Sequence, residues 1–250
     1  VVAKAAVAVD AKELLKEAVA AAIACIRDAV SPGDLGKTLS RRKLKELASD
    51  LEIGSSLSRS DAERRRTAIL KLGRSGDRRA LELIEPMRTD RWVIVRRAVA
   101  TAVAEPGHPG GLQVALNLLC DSDATVVRET IKSLKELANP IAVRPLMFVG
   151  LDDASLRIQA MKAVVHFGEH GVSELLSIIE ERNPHTMADV IRVLGRIGDR
   201  RAVPSLLMAL NFADSELRPG MLEALGLLGD RTALAKIISL LSDTDESIRL

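Results

Sequence analysis

The sequence predicts an all-α fold, a right-handed α-α superhelix of about six short helix pairs followed by a truncated last repeat. Three observations lead there. Nearly the same ten residues appear three times, as LGRSGDRRAL at 72–81, LGRIGDRRAV at 194–203 and LGLLGDRTAL at 225–234. The loop dipeptides Gly76-Asp77, Gly107-His108, Ala138-Asn139, Gly168-Glu169, Gly198-Asp199 and Gly229-Asp230 are spaced by 31, 31, 30, 30 and 31 residues. A regular period of this length marks supersecondary units that stack on one another. Finally, 47% of the residues are hydrophobic but only 2% are aromatic. A core of Leu, Val, Ile and Ala suits closely packed helices, whereas an ordinary globular core leans on aromatic bulk.

Each unit reads as two amphipathic runs. In residues 202–210, Val203, Leu206, Leu207 and Leu210 share one stripe, and Pro204 falls in the first turn, where its missing N–H costs nothing. In residues 217–228, Leu217, Met221, Leu225 and Leu228 do the same, after the acidic turn Asp214-Ser215-Glu216. Equivalent stripes are Val95/Val99/Val103, Val127/Ile131/Leu134 and Leu156/Ala160/Val164. The Gly of each loop fits the left-handed residue that ends a helix, and the acid after it complements the next helix N-terminus. A second landmark follows the acidic turns. Arg96, Arg128, Arg157, Arg218 and Arg249 each open a second helix, one residue after an apolar anchor.

Upstream of residue 76 the pattern is less regular. Residues 1–30 are Ala- and Val-rich and read as one helix, a cap on the stack or a connector. Residues 31–75 read as a basic, degenerate first helix pair. Residues 39–51 form its first helix, Gly54-Ser55-Ser56-Leu57-Ser58 is a loop, and Ser60-Asp61-Ala62-Glu63 is a capping box before a helix over 64–72. Residues 31–80 hold 13 Lys and Arg against 7 Asp and Glu, whereas 81–250 hold 19 against 23. The basic excess is therefore local.

The GD-x-x-A-[VL] loop and the D-x-D-x-x-[VI]-R turn, as in DTDESIR at 243–249, resemble the HEAT-like repeat family, in the short bacterial form of phycobiliprotein lyases. The resemblance covers about residues 76–250. It implies that turn acids and arginines form a ladder along the stack, here Asp90, Arg96, Arg128, Asp153, Arg157, Arg218, Asp243 and Arg249. Three places depart from the pattern. Met187 replaces the arginine, Trp92 replaces the second turn acid, and the loop Gly107-His108-Pro109-Gly110-Gly111 is irregular.

Candidate chemistry fares poorly. Gly36-Lys37-Thr38 ends like a phosphate-binding loop, but Ser31 stands where the first Gly belongs and no strand precedes it. His166-Phe167-Gly168-Glu169-His170 has the spacing of an inverted zinc-peptidase motif, yet Gly168 falls in the slot that ends a helix. Some proteins with this repeat hydroxylate a modified lysine with iron held by His-Glu pairs, and no His-Glu dipeptide occurs in this chain. Others process damaged DNA with aromatic residues that hold a base, a role Trp92 alone does not fill. Bilin lyases share the repeat, but no chromophore-specific set of residues is present. The expectation is therefore no enzyme, no metal and no cofactor.

What remains is surface. Second helices usually line the concave side of such a solenoid, which would place Arg97, Lys132, Lys135, Lys162, Arg192 and Arg196 there, with Trp92 as an anchor. The expected function is a protein-interaction scaffold that binds a protein segment or a fused domain. The alternative is a lyase-type or accessory enzyme holding a small ligand in the groove. Nucleic acid is the disfavoured partner, because the repeat region is net acidic. It would use the patch Arg41, Arg42, Lys43, Arg64 and Arg65. Cys25 and Cys120 lie far apart in apolar helical stretches, so buried free thiols in a reducing cytoplasm are expected. The longest apolar run near the start, residues 18–26, has nine residues, and a membrane span needs about 20. The chain starts at Val1 and stops at Leu250 within a helical pattern, so it reads as part of a longer multidomain protein. Its oligomeric state is not legible.

Overall fold

A computed structural model of the chain describes residues 11–29, 39–52, 58–105, 110–213 and 216–241. All regular elements among them are helices. The first, α1, spans Ala11–Ala29. Six pairs follow: α2 (Arg41–Glu52) with α3 (Arg59–Arg74), α4 (Arg78–Ile84) with α5 (Val93–Ala102), and α6 (Gly111–Leu118) with α7 (Ala124–Leu137). Then come α8 (Val143–Phe148) with α9 (Ala154–Phe167), α10 (Val172–Glu181) with α11 (Met187–Ile197), and α12 (Val203–Leu210) with α13 (Arg218–Leu228). The last helix among the described residues, α14, spans Arg231–Leu241. The expected all-α fold of about six helix pairs holds among the described residues. Asp243 and Arg249 lie outside the described residues, as do Gly36-Lys37-Thr38, His108 and Pro109.

Contacts divide the chain into two compact units, Val1–Pro145 and Leu146–Leu250. In the first, the second helices α3, α5 and α7 pack in succession, with α2, α4 and α6 as the other layer. In the second, α9, α11 and α13 pack in succession beside the layer of α10, α12 and α14. Each unit therefore has the two-layer architecture of an α-solenoid. Residues Val95, Val99 and Val103 are fully buried, and the other predicted second-helix stripes, apart from half-buried Leu217, are buried too.

Small residues set the spacing of the second-helix layer. A Cβ on Gly73 of α3 would lie 2.7 Å from Ala102 Cβ of α5. One on Gly195 of α11 would lie 2.9 Å from Ala224 Cα of α13. Between α5 and α7, the buried Ser133 hydroxyl donates to the Ala100 carbonyl at 2.6 Å. Side chains larger than these would hold the helices apart.

The corners are built as the sequence predicts. Gly76, Gly168, Gly198 and Gly229 have positive φ, and so does Ala138 at φ 47°. Asp77, Asn139, Asp199 and Asp230 each accept a hydrogen bond from the N–H two residues on. This satisfies one of the free donors at the next helix start.

Two expectations change, the start of α3 and the burial of the cysteines. Helix α3 starts at Arg59, not Arg64, because Ser58 is its cap, accepting from the Ser60 N–H at 3.1 Å. The predicted capping box lies inside the helix. Helix α1 packs on α6 and the 3₁₀ turn Pro140–Ala142, with Ala18, Val19, Ala22 and Ile26 buried. Cys25 and Cys120 are both free but exposed, because each lies on the outer side of its helical stretch. Atoms packed against the other side of Cys120 still push its thiol pKa up.

Candidate functional site

The arginines after each acidic turn carry most of the polar architecture. Arg96 on α5 donates through Nε and Nη2 to Asp121 of the next turn, at 2.6 and 2.9 Å. It also reaches back to the Asp90 carbonyl at 2.8 Å. Asp121 itself accepts from the Asp123 N–H at 2.8 Å, and Asp123 caps α7. The two acids of the D-x-D turn thus divide the work. The first folds the turn and receives the previous arginine, and the second caps the helix.

Departures from the motif change this division in a legible way. Trp92 replaces the capping acid before α5, and α5 has no side-chain cap. Asp90 keeps the first role, accepting from the Trp92 N–H at 2.8 Å. Before α11, the first position is the neutral Asn183, which folds the turn by accepting from the His185 N–H at 3.0 Å. It offers no charge to Arg157. Arg157 instead pairs with Asp189, a buried residue in the first turn of α11 that also binds Arg192 at 3.2 Å. Before α9, Asp153 caps the helix and takes no ladder pair among the described residues. Arg128 has no ion pair among them either. Arg218 donates to the Ala213 carbonyl at 3.0 Å.

Arg65 is the member of this set that sequence reading placed elsewhere. It was expected in a surface patch with Arg41, Arg42, Lys43 and Arg64. Its side chain is 0% exposed, and its Nε donates to Asp90 at 2.8 Å. Arg65 is therefore the first rung of the ladder and cannot meet a surface ligand. Its 25-residue offset to Asp90 equals that of Arg96 to Asp121, which is the signal that would have found it. Arg41, Arg42 and Arg64 remain exposed, and Lys43 pairs with Glu46 at 2.9 Å.

A second interaction went unseen in the repeated decapeptide. In Asp77-Arg78-Arg79, Arg79 binds the Asp77 carboxylate at 2.7 Å and reaches the Leu39 carbonyl at 2.9 Å. The Leu39 N–H in turn donates to Asp77 at 2.7 Å. Arg79, with help from the Leu39 and Arg79 N–H groups, holds the Asp77 pKa at about 2 against the opposing effect of burial. Arg201 repeats the clamp on Asp199 and reaches the Glu169 carbonyl at 3.0 Å. In the third copy Thr232 replaces the second arginine and bonds only to Asp230.

The predicted binding cations all lie on second helices. In the first unit, Arg97 and Lys132 share Glu129, at 3.7 and 3.4 Å, while Lys135 is exposed without an ion pair among the described residues. Arg66, Leu70 and Arg74 of α3 line a groove of about 250 Å³ with Ile94 and Arg97 of α5. In the second unit, Lys162 and Arg196 are exposed and make no ion pair among the described residues. Arg192, Arg196 and Glu223 rim a groove of about 340 Å³ between α11 and α13, which also exposes Leu227. Trp92 is half-buried, with its indole Nε1 fully buried.

One cavity gave no sequence signal. It has about 330 Å³ and is lined mainly by Met187, Pro204, Met208, Ala209, Phe212 and Met221. Met208 and Phe212 are 66% and 63% exposed. The Arg182 guanidinium lies 4.4 Å from the Phe212 ring centre. Met and Phe at these positions look like ordinary helix-face residues in the sequence.

No group of three or more His, Cys, Asp and Glu side chains among the described residues is placed to hold a metal ion. The inverted zinc-peptidase spacing is broken as expected. Helix α9 ends at Phe167, and Gly168 turns the chain at φ 57°. No helix among the described residues is long and apolar enough to cross a membrane.

Helix pairs of about 31 residues, joined by a left-handed corner and threaded by Arg–Asp pairs, define an α-helical repeat protein. Residues 188–212, which run from α11 through its corner into α12, match the model of the PBS lyase HEAT-like repeat. The sequence resemblance is thereby borne out. No curated protein matches the chain. Among solved structures, human deoxyhypusine hydroxylase in complex with glycerol is similar over 96% of this chain and 93% of its own, with 19% identity and a TM-score of 0.34. A likeness at that level carries no argument about activity. The expectation that the chain is no enzyme is nevertheless corrected, on the repeat itself: the model matched at residues 188–212 is named for a lyase, so the repeat does not exclude an enzyme. The physical reason is general: a repeat scaffold presents side chains from several helices, and what they do depends on the side chains, not the fold.

Proposed function

We propose that the chain is a docking scaffold that binds an acidic, partly apolar protein segment on its second-helix face. One observation carries this reading. On consecutive second helices of the second unit, the unpaired cations Lys162 and Arg196 accompany the exposed apolar side chains Ile158 and Leu227, which are 52% and 60% exposed. Ile158 and Lys162 are four residues apart on α9, so they share one face. Leu227 and Arg196 line the same groove. Apolar anchors flanked by uncompensated charge favour a segment with leucine-type side chains among carboxylates.

The test uses fluorescence anisotropy of labelled Glu/Leu-rich peptides with the full chain. Charge reversal at Lys162 and Arg196 together is expected to weaken binding at least tenfold, about 1.4 kcal/mol, with an unchanged unfolding curve. Equal affinity of the double variant would overturn the reading.

The Met208–Phe212 cavity favours a second reading, in which the same scaffold holds a small apolar ligand. Its lining is apolar apart from Glu180, Arg182 and Ser205. Enhanced, blue-shifted fluorescence of an environment-sensitive hydrophobic dye, lost in Met208→Lys, is the expected signature. Dye binding unchanged in that variant removes this reading.

A further inference from the structure

Three buried side-chain polar atoms have no hydrogen-bond partner in the described structure, and two of them fall in one short turn. They are Arg88 Nε and Trp92 Nε1, on either side of Asp90 in the connection from α4 to α5. A buried donor without an acceptor costs about 1–3 kcal/mol, so such a group calls for a physical explanation.

Arg88 lines a cavity of about 350 Å³. Arg91 and Asp90 come from the same turn, and Asn117, Asp121 and Ser122 come from the end of α6 and the turn after it. The charges do not balance. Asp90 is matched by the buried Arg65, and Asp121 is matched by Arg96, which also lines the cavity. Arg88 and Arg91 have no carboxylate partner among the described residues. The uncompensated charge is thus two guanidinium groups, one of them partly buried. Guanidinium nitrogens in this state bind oxyanions through paired, charge-assisted hydrogen bonds. Ser122 and Asn117 add neutral donors on the opposite wall.

We propose that this cavity is an oxyanion site for a phosphate group, whether free or carried by a monoester. Arg88 and Arg91 clamp the phosphate, and Arg65 and Arg96 keep the two wall carboxylates neutralised so that they do not repel it. Trp92, the residue that breaks the acidic turn motif, removes a carboxylate that would otherwise stand beside the site. This site is separate from the second-helix face, and its test does not depend on that reading.

Cys120 is exposed and lines the cavity, so it reports occupancy directly. In the full chain carrying Cys25→Ser, the rate of Cys120 alkylation is measured with chloride, inorganic phosphate or phenyl phosphate at constant ionic strength. Both phosphates are expected to slow the reaction severalfold relative to chloride. Arg88→Gln and Arg91→Gln, each made in the Cys25→Ser chain, are expected to abolish the protection. Arg91 is exposed, so its variant keeps the test open should Arg88→Gln fail to fold. Stronger protection by phenyl phosphate than by inorganic phosphate assigns the site to a monoester, and equal protection assigns it to the free anion. Alkylation equally fast in chloride and phosphate, or protection that survives both arginine variants, would overturn the site itself.

Discussion

Arg65 Nε donates to Asp90 at 2.8 Å across a boundary between repeats, with no part of the arginine side chain exposed. Removing one partner of such a pair leaves a buried charge without compensation, which costs about 3–5 kcal/mol. Arg65→Ala is therefore expected to shift the urea unfolding midpoint strongly downward. The adjacent Arg66 is half exposed and pairs with Glu63 at 3.1 Å, a surface pair worth about 0–1 kcal/mol. Arg66→Ala should leave the midpoint nearly unchanged. Equal midpoints for the two variants would show that burial does not set the value of the Arg65 pair.

The Asp77–Arg79 clamp gives a pH dependence with a definite sign. The folded pKa of Asp77, about 2, lies below its ordinary value of about 3.9. A lowered carboxylate pKa stabilises the fold fully above the ordinary value, and the contribution is lost as pH falls toward 2. The native chain should lose more stability between pH 4.5 and 2 than Asp77→Asn, measured by thermal unfolding across that window. Parallel pH profiles for the two would disprove the linkage.

Much of the fold was legible because its signals are local. The positive φ of Gly198 and the cap formed by Asp199 need only a few residues, so they were read from LGRIGDRRAV. The Arg157–Asp189 pair was not legible, because Asp189 lies on the helix and not in the turn where the motif places an acid. It arises only once Asn183 has left that arginine without a charge. Arg65 hid among Arg64 and Arg66, since a run of three arginines looks like surface until the helix phase is fixed. The Arg88 site was illegible for another reason. Its cavity joins residues 88–91 to 117–122, and the excess charge appears only after the ion pairs are assigned. The exposed groups Met208 and Phe212 sit at helix-face and helix-end positions whose sequence cannot say which side faces a neighbour.

Glycines in the second helices should respond with opposite signs. At Gly195 an added Cβ meets Ala224 backbone and side-chain atoms at 2.9 and 3.0 Å. Overpacking of this kind costs about 1–3 kcal/mol. Gly226 on α13 is exposed, and a Cβ there meets nothing within 4 Å. Gly226→Ala should raise stability by about 0.5–1 kcal/mol, since glycine in a helix interior loses more backbone entropy than alanine. Differential scanning calorimetry should show the first variant melting below the parent and the second above it.

Left-handed helix ends offer the reverse experiment, because Ala138, at the corner after α7, and Arg182, at the end of the first helix α10, carry side chains where glycine would be unstrained. Ala138 sits at φ 47° and Arg182 at φ 53°. An L-residue in that region costs about 1–2 kcal/mol, a strain that glycine does not carry. Ala138 is exposed at the end of α7, with no side-chain interaction to lose, so Ala138→Gly should relieve the strain. Part of that gain is offset by the larger unfolded-state entropy of glycine, leaving a net stabilisation of about 0.5–1 kcal/mol. Arg182 differs, because its guanidinium packs over Phe212 at 4.4 Å, a contact worth about 0.5–1 kcal/mol at exposed sites. Arg182→Gly loses that contact while relieving the same strain, so its net effect should lie near zero. Denaturation midpoints for the two glycine variants decide the matter. A larger gain at Arg182 than at Ala138 would mean that the ring contact contributes nothing.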